Sequence, residues 1–180
     1  MAIIEAIETV YVEANAAVIT FDSIPATYEH LKIIGTGQSD AASATDNVKL
    51  TLNGDTGSNY SFHYIGGEGT SEWLGKTAGV AYWLFPYNIN GANSASSGSI
   101  QMYDTFSCII YDYANTNKNT CFEGLAQGKG NAAMVGSSAY ITQHTGVWDS
   151  TVAVTSISFT TNQGDWLRGT EISLYGLKSS

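Results

Sequence analysis

The sequence predicts an all-β fold, an antiparallel β-sandwich or jelly roll of about ten short strands. Three observations carry that expectation. Apolar and polar residues alternate along most of the chain, whereas helical periodicity is scarce. Clusters of Gly, Asn, Asp and Ser break the alternating runs at short, even intervals. Only two prolines, Pro25 and Pro86, remove ladder donors.

The elements follow in order. Residues 1–12 read as an N-terminal arm or edge strand, although 1-MAIIEAIE-8 is also a weak helix candidate. Period-2 alternation marks 17-AVITFD-22. In 47-NVKLTLN-53 it places Val48, Leu50 and Leu52 on one face. In 60-YSFHYI-65, Tyr60, Phe62 and Tyr64 alternate with Ser61 and His63. The run 80-VAYWLFPYN-88 lacks alternation, which predicts burial on both faces, either within the core alone or with one face on the core and the other on a subunit contact. Strand rhythm returns in 99-SIQMYD-104, 106-FSCIIYDY-113 and 170-TEISLYGL-177. In 151-TVAVTSISFTT-161 the phase slips between Val154 and Ile157, and a β-bulge at Thr155 or Ser156 would absorb the slip. A second weak helix candidate is 131-NAAMVGSSA-139. Turns are expected at 35–46, 53–59, 90–99, 114–119 and 162–169. No repeat, linker or charge block divides the chain, so residues 13–180 read as one sandwich domain.

Composition narrows the function. Charged residues are only 13% of the chain, about half the usual share. Seven basic residues against sixteen acidic ones give a net charge of −9, with no basic residue before Lys32. Nucleic-acid binding needs clustered Lys and Arg, so none is expected. The N-terminal stretch carries three glutamates and no basic residue, unlike a secretory signal. No apolar run is long enough to span a bilayer as a helix. Cys108 and Cys121 are expected as free thiols in a reducing cytosol.

The loop in 50-LTLNGDTGSNYSFHYIGG-67 gathers oxygens around two glycines. Counted from Asn53, it fails the EF-hand pattern at three positions, with Gly57, Ser58 and Tyr64 where ligands and glycine belong. It fails the P-loop pattern because Ser58 and Asn59 follow Gly57. It reads as a tight hairpin, with Asp55 as the one metal candidate. No catalytic residues are expected. His30, His63 and His144 are far apart in sequence, and 69-GTSEW-73 ends in tryptophan where a nucleophile elbow needs glycine. Trp73, Tyr82, Trp83, Tyr87 and Trp166 are candidates for partner contacts or for stacking a sugar.

Two blocks carry a resemblance: 21-FDSIPATYEHLKIIGTGQSDAASATDNVKLTLNGDTGSNYSFHYIGG-67 and 155-TSISFTTNQGDWLRGTEISLYGLK-178. They are similar to a group of small structural proteins of tailed bacteriophages. That group opens on Phe-Asp-x-Ile-Pro-x-Thr-Tyr, matched by Phe21 to Tyr28. Its Asn-Gly-Asp motif is matched by Leu52 to Ser61, and its closing Gly-Thr-x-Ile-Ser-Leu-Tyr-Gly by Gly169 to Lys178. The resemblance implies a non-enzymatic virion protein assembled in the host cytoplasm, without cofactor. A capsid decoration or cement protein is the first expectation; a tail or fibre protein, or a glycan-binding receptor module, is the alternative. Expected partners are the major capsid protein and further copies of the chain, a trimer if the seat is a local threefold. Ile3, Ile4 and Ile7 in 3-IIEAIETVYV-12 are contact candidates, because an arm can add a strand to a neighbour.

Overall fold

The computed structural model describes residues 3–92, 103–129 and 139–179, which form strands and turns and no α-helix. The strands begin with β1 (Ile3–Tyr11), β2 (Val18–Phe21), β3 (His30–Gly37), β4 (Thr45–Asp46), β5 (Val48–Leu52), β6 (Tyr60–Glu68) and β7 (Ser71–Val80). They continue with β8 (Trp83–Leu84), β9 (Ile89–Asn90), β10 (Asp104–Tyr111), β11 (Thr120–Lys129), β12 (Ala139–Trp148), β13 (Ile157–Thr161) and β14 (Glu171–Lys178). An eight-stranded antiparallel sheet runs β1-β14-β3-β10-β11-β12-β6-β7. A four-stranded sheet, β2-β13-β5-β8, packs across it, and β4 pairs with β9 beside them. The fold is the antiparallel sandwich that alternation predicts.

The core lies between the two layers. From the large sheet come Leu31, Ile33, Phe106, Cys108, Ile110, Phe122, Ile172 and Leu174. Ile19, Phe21, Val48, Leu50, Leu52, Ile157 and Phe159 face them from the small one. Aromatic rings join the layers: Trp83 stacks on Phe122 at 4.1 Å between centroids, and Phe106 meets Phe159 at 6.3 Å. Such pairs add about 0.5–1.5 kcal/mol beyond their burial.

Several rings lie flat across glycines of neighbouring strands. The Phe106 ring covers Gly35, Phe85 covers Gly124, Tyr64 covers Gly75 and Tyr28 covers Gly176; a Cβ at any of the four would sit inside the ring. The glycines of 35-GTG-37, expected in a turn, therefore belong to β3 and make room for Phe106 and Trp166.

Other expectations are corrected. The helix candidate at residues 1–8 is strand β1, because the free edge of β14 offers its backbone a ladder from Ile3↔Lys178 to Tyr11↔Glu171. That ladder makes residues 3–11 an edge strand of their own sheet, not a free arm. The bulge at Thr155 or Ser156 is absent: β13 begins only at Ile157. Val152 lies outside it, 60% exposed, while Val154 is buried and donates its N–H to the Tyr113 carbonyl. Of residues 80–88, only Val80, the last residue of β7, and Trp83–Leu84 pair in strands. Among the described residues the strands number fourteen, and the eight of the large sheet are long, eight to ten residues each. The helix candidate at 131–139, the turn at 90–99 and the start of 99–104 lie wholly or mostly outside the described residues.

Gly124→Ala tests the ring-over-glycine packing. Phe85 is buried and stacked on Trp83 at 4.5 Å, so it has little room to retreat. Overpacking of this kind costs about 1–3 kcal/mol. Urea unfolding should show a loss in that range, and an unchanged midpoint would mean that the ring moves aside freely.

Candidate functional site

The Asn53–Asn59 loop sits between strands of different sheets, since β5 belongs to the small sheet and β6 to the large one. It is therefore an arch over one end of the sandwich and not the hairpin expected. Asn53, at φ 54°, and Gly54, at φ 64°, make the tight turn. The Asn53 side chain accepts from Thr155 N at 2.7 Å and Ser156 N at 3.1 Å, and donates to the Ala153 carbonyl at 2.8 Å. It ties the arch to the approach to β13.

Asp55 Oδ1 accepts from Gly57 N at 2.8 Å, and Oδ2 accepts from Asn59 Nδ2 at 2.8 Å and Trp148 Nε1 at 2.6 Å. Asn59 first, then Trp148, holds its pKa below the usual carboxylate range. A cation needs oxygen lone pairs facing inward, whereas here N–H donors surround the carboxylate. Among the described residues, no group of three or more His, Cys, Asp and Glu is placed to hold a metal ion. Asp55 is thus an anchor for Trp148, with N–H donors on both of its carboxylate oxygens. Beside it, Tyr60 accepts from Leu52 N at 2.8 Å, and burial pushes its pKa up to about 12.

The histidines occupy three unrelated settings. His30 Nδ1 accepts from Asp112 N at 3.0 Å, and His63 is exposed. His144 is buried among Phe85 at 5.4 Å, Tyr64 at 5.5 Å and Tyr87 at 6.3 Å. Neither of its ring nitrogens has a hydrogen-bond partner, and burial pushes its pKa down to about 4. It is a core residue. Cys108 and Cys121 are free thiols, the first buried and the second exposed.

The aromatic contact candidates divide. Trp83 and Trp166 are fully buried, and Trp166 Nε1 donates to the Phe159 carbonyl at 3.0 Å. Neither offers a plane to a partner or a sugar, because the core has taken both faces of each indole. Tyr87 is half-buried and stacked on Tyr64 at 5.2 Å, and Tyr82 lies under Lys49 Nζ at 5.3 Å. Trp73 is half-buried with its indole over Gly66. On β1, Ile3 and Ile4 are exposed, whereas Ile7 packs against the core at a bulge between Ala6 and Glu8.

The feature that sequence reasoning misses is the outer face of the eight-stranded sheet. The pairings Ile34↔Ser107, Ser107↔Leu125, Leu125↔Gln143, Gln143↔Ile65 and Ile65↔Leu74 form one row across six strands. Ile34, Leu125, Ile65 and Leu74 are all exposed, Leu74 the most at 82%, and exposed Ile141 stands in the next row. A charged row with Lys32, Glu123, His63 and Lys76 lies on one side, and a row ending in Glu72 on the other. Tyr111 donates to Glu123 Oε1 at 2.6 Å, and that bond, with burial, pushes its pKa up to about 12. Shallow depressions follow the row, one lined by His63, Ile65, Leu74, Glu123 and Gln143. A signal was present: Ile34, Ile65, Leu74 and Ile141 each follow an inward-facing residue, Ile33, Tyr64, Trp73 and Tyr140. Such doublets leave a large aliphatic on the solvent face. Contiguous exposed apolar surface marks docking faces, and each aliphatic side chain fully covered there contributes about 1.5–3 kcal/mol.

No family model matches this chain, and neither a curated protein nor a solved structure matches it.

Two measurements check these assignments. The folded state keeps His144 neutral down to about pH 4, while the unfolded state takes up a proton below its ordinary value of 6.5. Stability from this residue is therefore complete above that value and falls with pH down to about 4. The depression amounts to a loss of about 3 kcal/mol. His144→Phe should flatten the slope of unfolding free energy between pH 7 and pH 4.5, and an unaltered slope would remove His144 as its source. Asp55→Ala should destabilise by about 1–3 kcal/mol, the cost of stranding buried donors. A chelator should leave the wild-type melting temperature unchanged, and a drop would restore Asp55 as a cation ligand.

Proposed function

We propose that this chain is a non-enzymatic structural protein of a tailed-phage virion, a decoration or cement protein of the head. It docks through the outer face of its eight-stranded sheet. The observation that carries the reading is the exposed row Ile34, Leu125, Ile65 and Leu74 on a broad regular face. The resemblance to phage structural proteins supplies the setting, and the fold gives its two blocks a physical relation. β13 pairs with β2 and β5, and β14 pairs with β3, so the distant blocks interleave. Asn53 of the first block also binds Thr155 and Ser156 of the second.

In this reading the partner is the major capsid protein. A net charge of −9 favours basic loops on the lattice. Contacts that are weak singly become firm when symmetry repeats them, and a local threefold seat would gather three copies. Assembly takes place in the host cytoplasm, and the mature location is the particle. The glycan-binding alternative loses two of its stacking platforms to burial, Trp83 and Trp166. A tail or fibre role draws on the same docking face and differs in copy number.

Quantitative mass spectrometry of purified particles decides between these. Hundreds of copies in fixed ratio to the major capsid protein are expected; a handful would transfer the chain to the tail or fibres, and none would overturn the reading. The variant Ile65→Lys with Leu125→Lys should lose occupancy on particles while keeping its melting temperature within a few degrees, since both side chains are exposed. Unchanged occupancy would move docking to another surface.

A further inference from the structure

The large sheet has two edges, and they differ. β1 carries a bulge between Ala6 and Glu8, with Glu5 and Glu8 along it, devices that discourage another strand from adding. β7, at the other end, is ten residues long and among the described residues pairs with β6 alone. From Ser71 to Thr77 it is regular and without proline, the register shift falling beyond, opposite Tyr60 and Phe62. Its outward side chains are Glu72, Leu74 and Lys76, and Leu74 is more exposed than any other large apolar residue described.

The segment 72-EWLGK-76 is complementary to itself read backwards. We propose that two copies of this chain join edge to edge through β7, antiparallel, with Leu74 on the two-fold axis. Leu74 then meets its counterpart, Glu72 stands opposite the partner's Lys76, and Lys76 opposite the partner's Glu72. On the inner side Trp73, whose indole lies back over Gly66 of its own copy, stands opposite the partner's Gly75, which the Tyr64 ring of that copy covers.

An antiparallel ladder about a two-fold axis must centre on a residue, and the alternatives are worse. Centring on Glu72 or on Lys76 sets like charges face to face. Trp73 at the centre opposes Leu74 to a carboxylate, and Gly75 at the centre opposes it to an ammonium. Leu74 alone pairs both charges with their opposites and an apolar side chain with its own kind, the arrangement that stabilises cross-strand neighbours. Opposite charges at the junction name the occupant, a second copy.

Edge pairing keeps both outer faces on one side. The two apolar rows become a single row across twelve strands, running from Ile34 of one copy through both Leu74 side chains to Ile34 of the other. The link is two-fold and can tie neighbouring trimers together without building them. It does not depend on the virion reading, and absence from particles would leave it intact.

The purified chain tests it by light scattering after size exclusion. The wild type is expected to be a dimer at micromolar concentration. Lys76→Glu should weaken dimerisation at least tenfold, Glu72→Lys likewise, and the double exchange Glu72→Lys with Lys76→Glu should restore it. All three variants alter exposed side chains, and circular dichroism confirms that they fold. In a Cys121→Ser background, Leu74→Cys should cross-link on oxidation, because directly opposed Cα atoms lie about 4.5–5.5 Å apart in such ladders, within disulfide reach. Glu72→Cys should link to Lys76→Cys in a mixture, and neither to itself. A monomer, or any oligomer in which Leu74→Cys fails to cross-link, overturns the proposal.

Discussion

The structure depends on a constraint of volume between two sheets: large rings must lie flat where the facing strand has no side chain. Phe85 over Gly124 and Phe106 over Gly35 place aromatic planes against bare backbone of the large sheet. Trp83 and Phe122 complete the stack. Without those glycines the layers could not approach closely, and Leu50, Phe159 and Ile33 would lose the contacts that dry the core. Where ring and glycine face each other on paired strands, as Phe106 and Gly35 do, the pair also fixes register. A slip of one residue would turn the glycine to the other face and drive a Cβ into a ring.

That constraint explains which parts of the fold were legible in the sequence. Alternation in Val48, Leu50 and Leu52, or in Phe106, Cys108 and Ile110, is a local property, and it marks β5 and β10 correctly. Gly35 and Gly37 look like turn residues because glycine has two uses, and only the ring lying above distinguishes them. The Asn53–Asn59 loop carries every mark of a hairpin, yet the next strand joins the other sheet. Turn chemistry describes how a chain reverses, not which layer receives it. The capping of Gly57 by Asp55 was readable because it is local; Trp148 as a partner of Asp55, and Thr155 and Ser156 as partners of Asn53, were not, lying 93, 102 and 103 residues away.

The candidate site was legible only in disguise. Burial of Trp83 and Trp166 shows that richness in aromatics marks a core as readily as a surface. The exposed apolar row and its neighbour Ile141 are built instead from aliphatics scattered over five strands, which only the ladder brings into line. A residue such as Leu125, between Gly124 and Ala126, gives no local hint that it extends a row toward Ile65. The exposed row is a property of cross-strand register, where neighbours in space are strangers in sequence.

The placement of β13 and β14 has a consequence for how the molecule is made. Both strands lie inside their sheets, β13 between β2 and β5, β14 between β1 and β3. They also leave the ribosome after every other strand. Until they emerge, β2 and β5 have no common neighbour, and β1 and β3 stand unjoined. A nascent chain must carry its open edges through nearly the whole of synthesis before either layer can close. Such long-range pairing is slow and leaves sticky strands exposed. A chain that stopped before β13 would therefore yield not a smaller sandwich but an unfinished one, a substrate for chaperones and proteases.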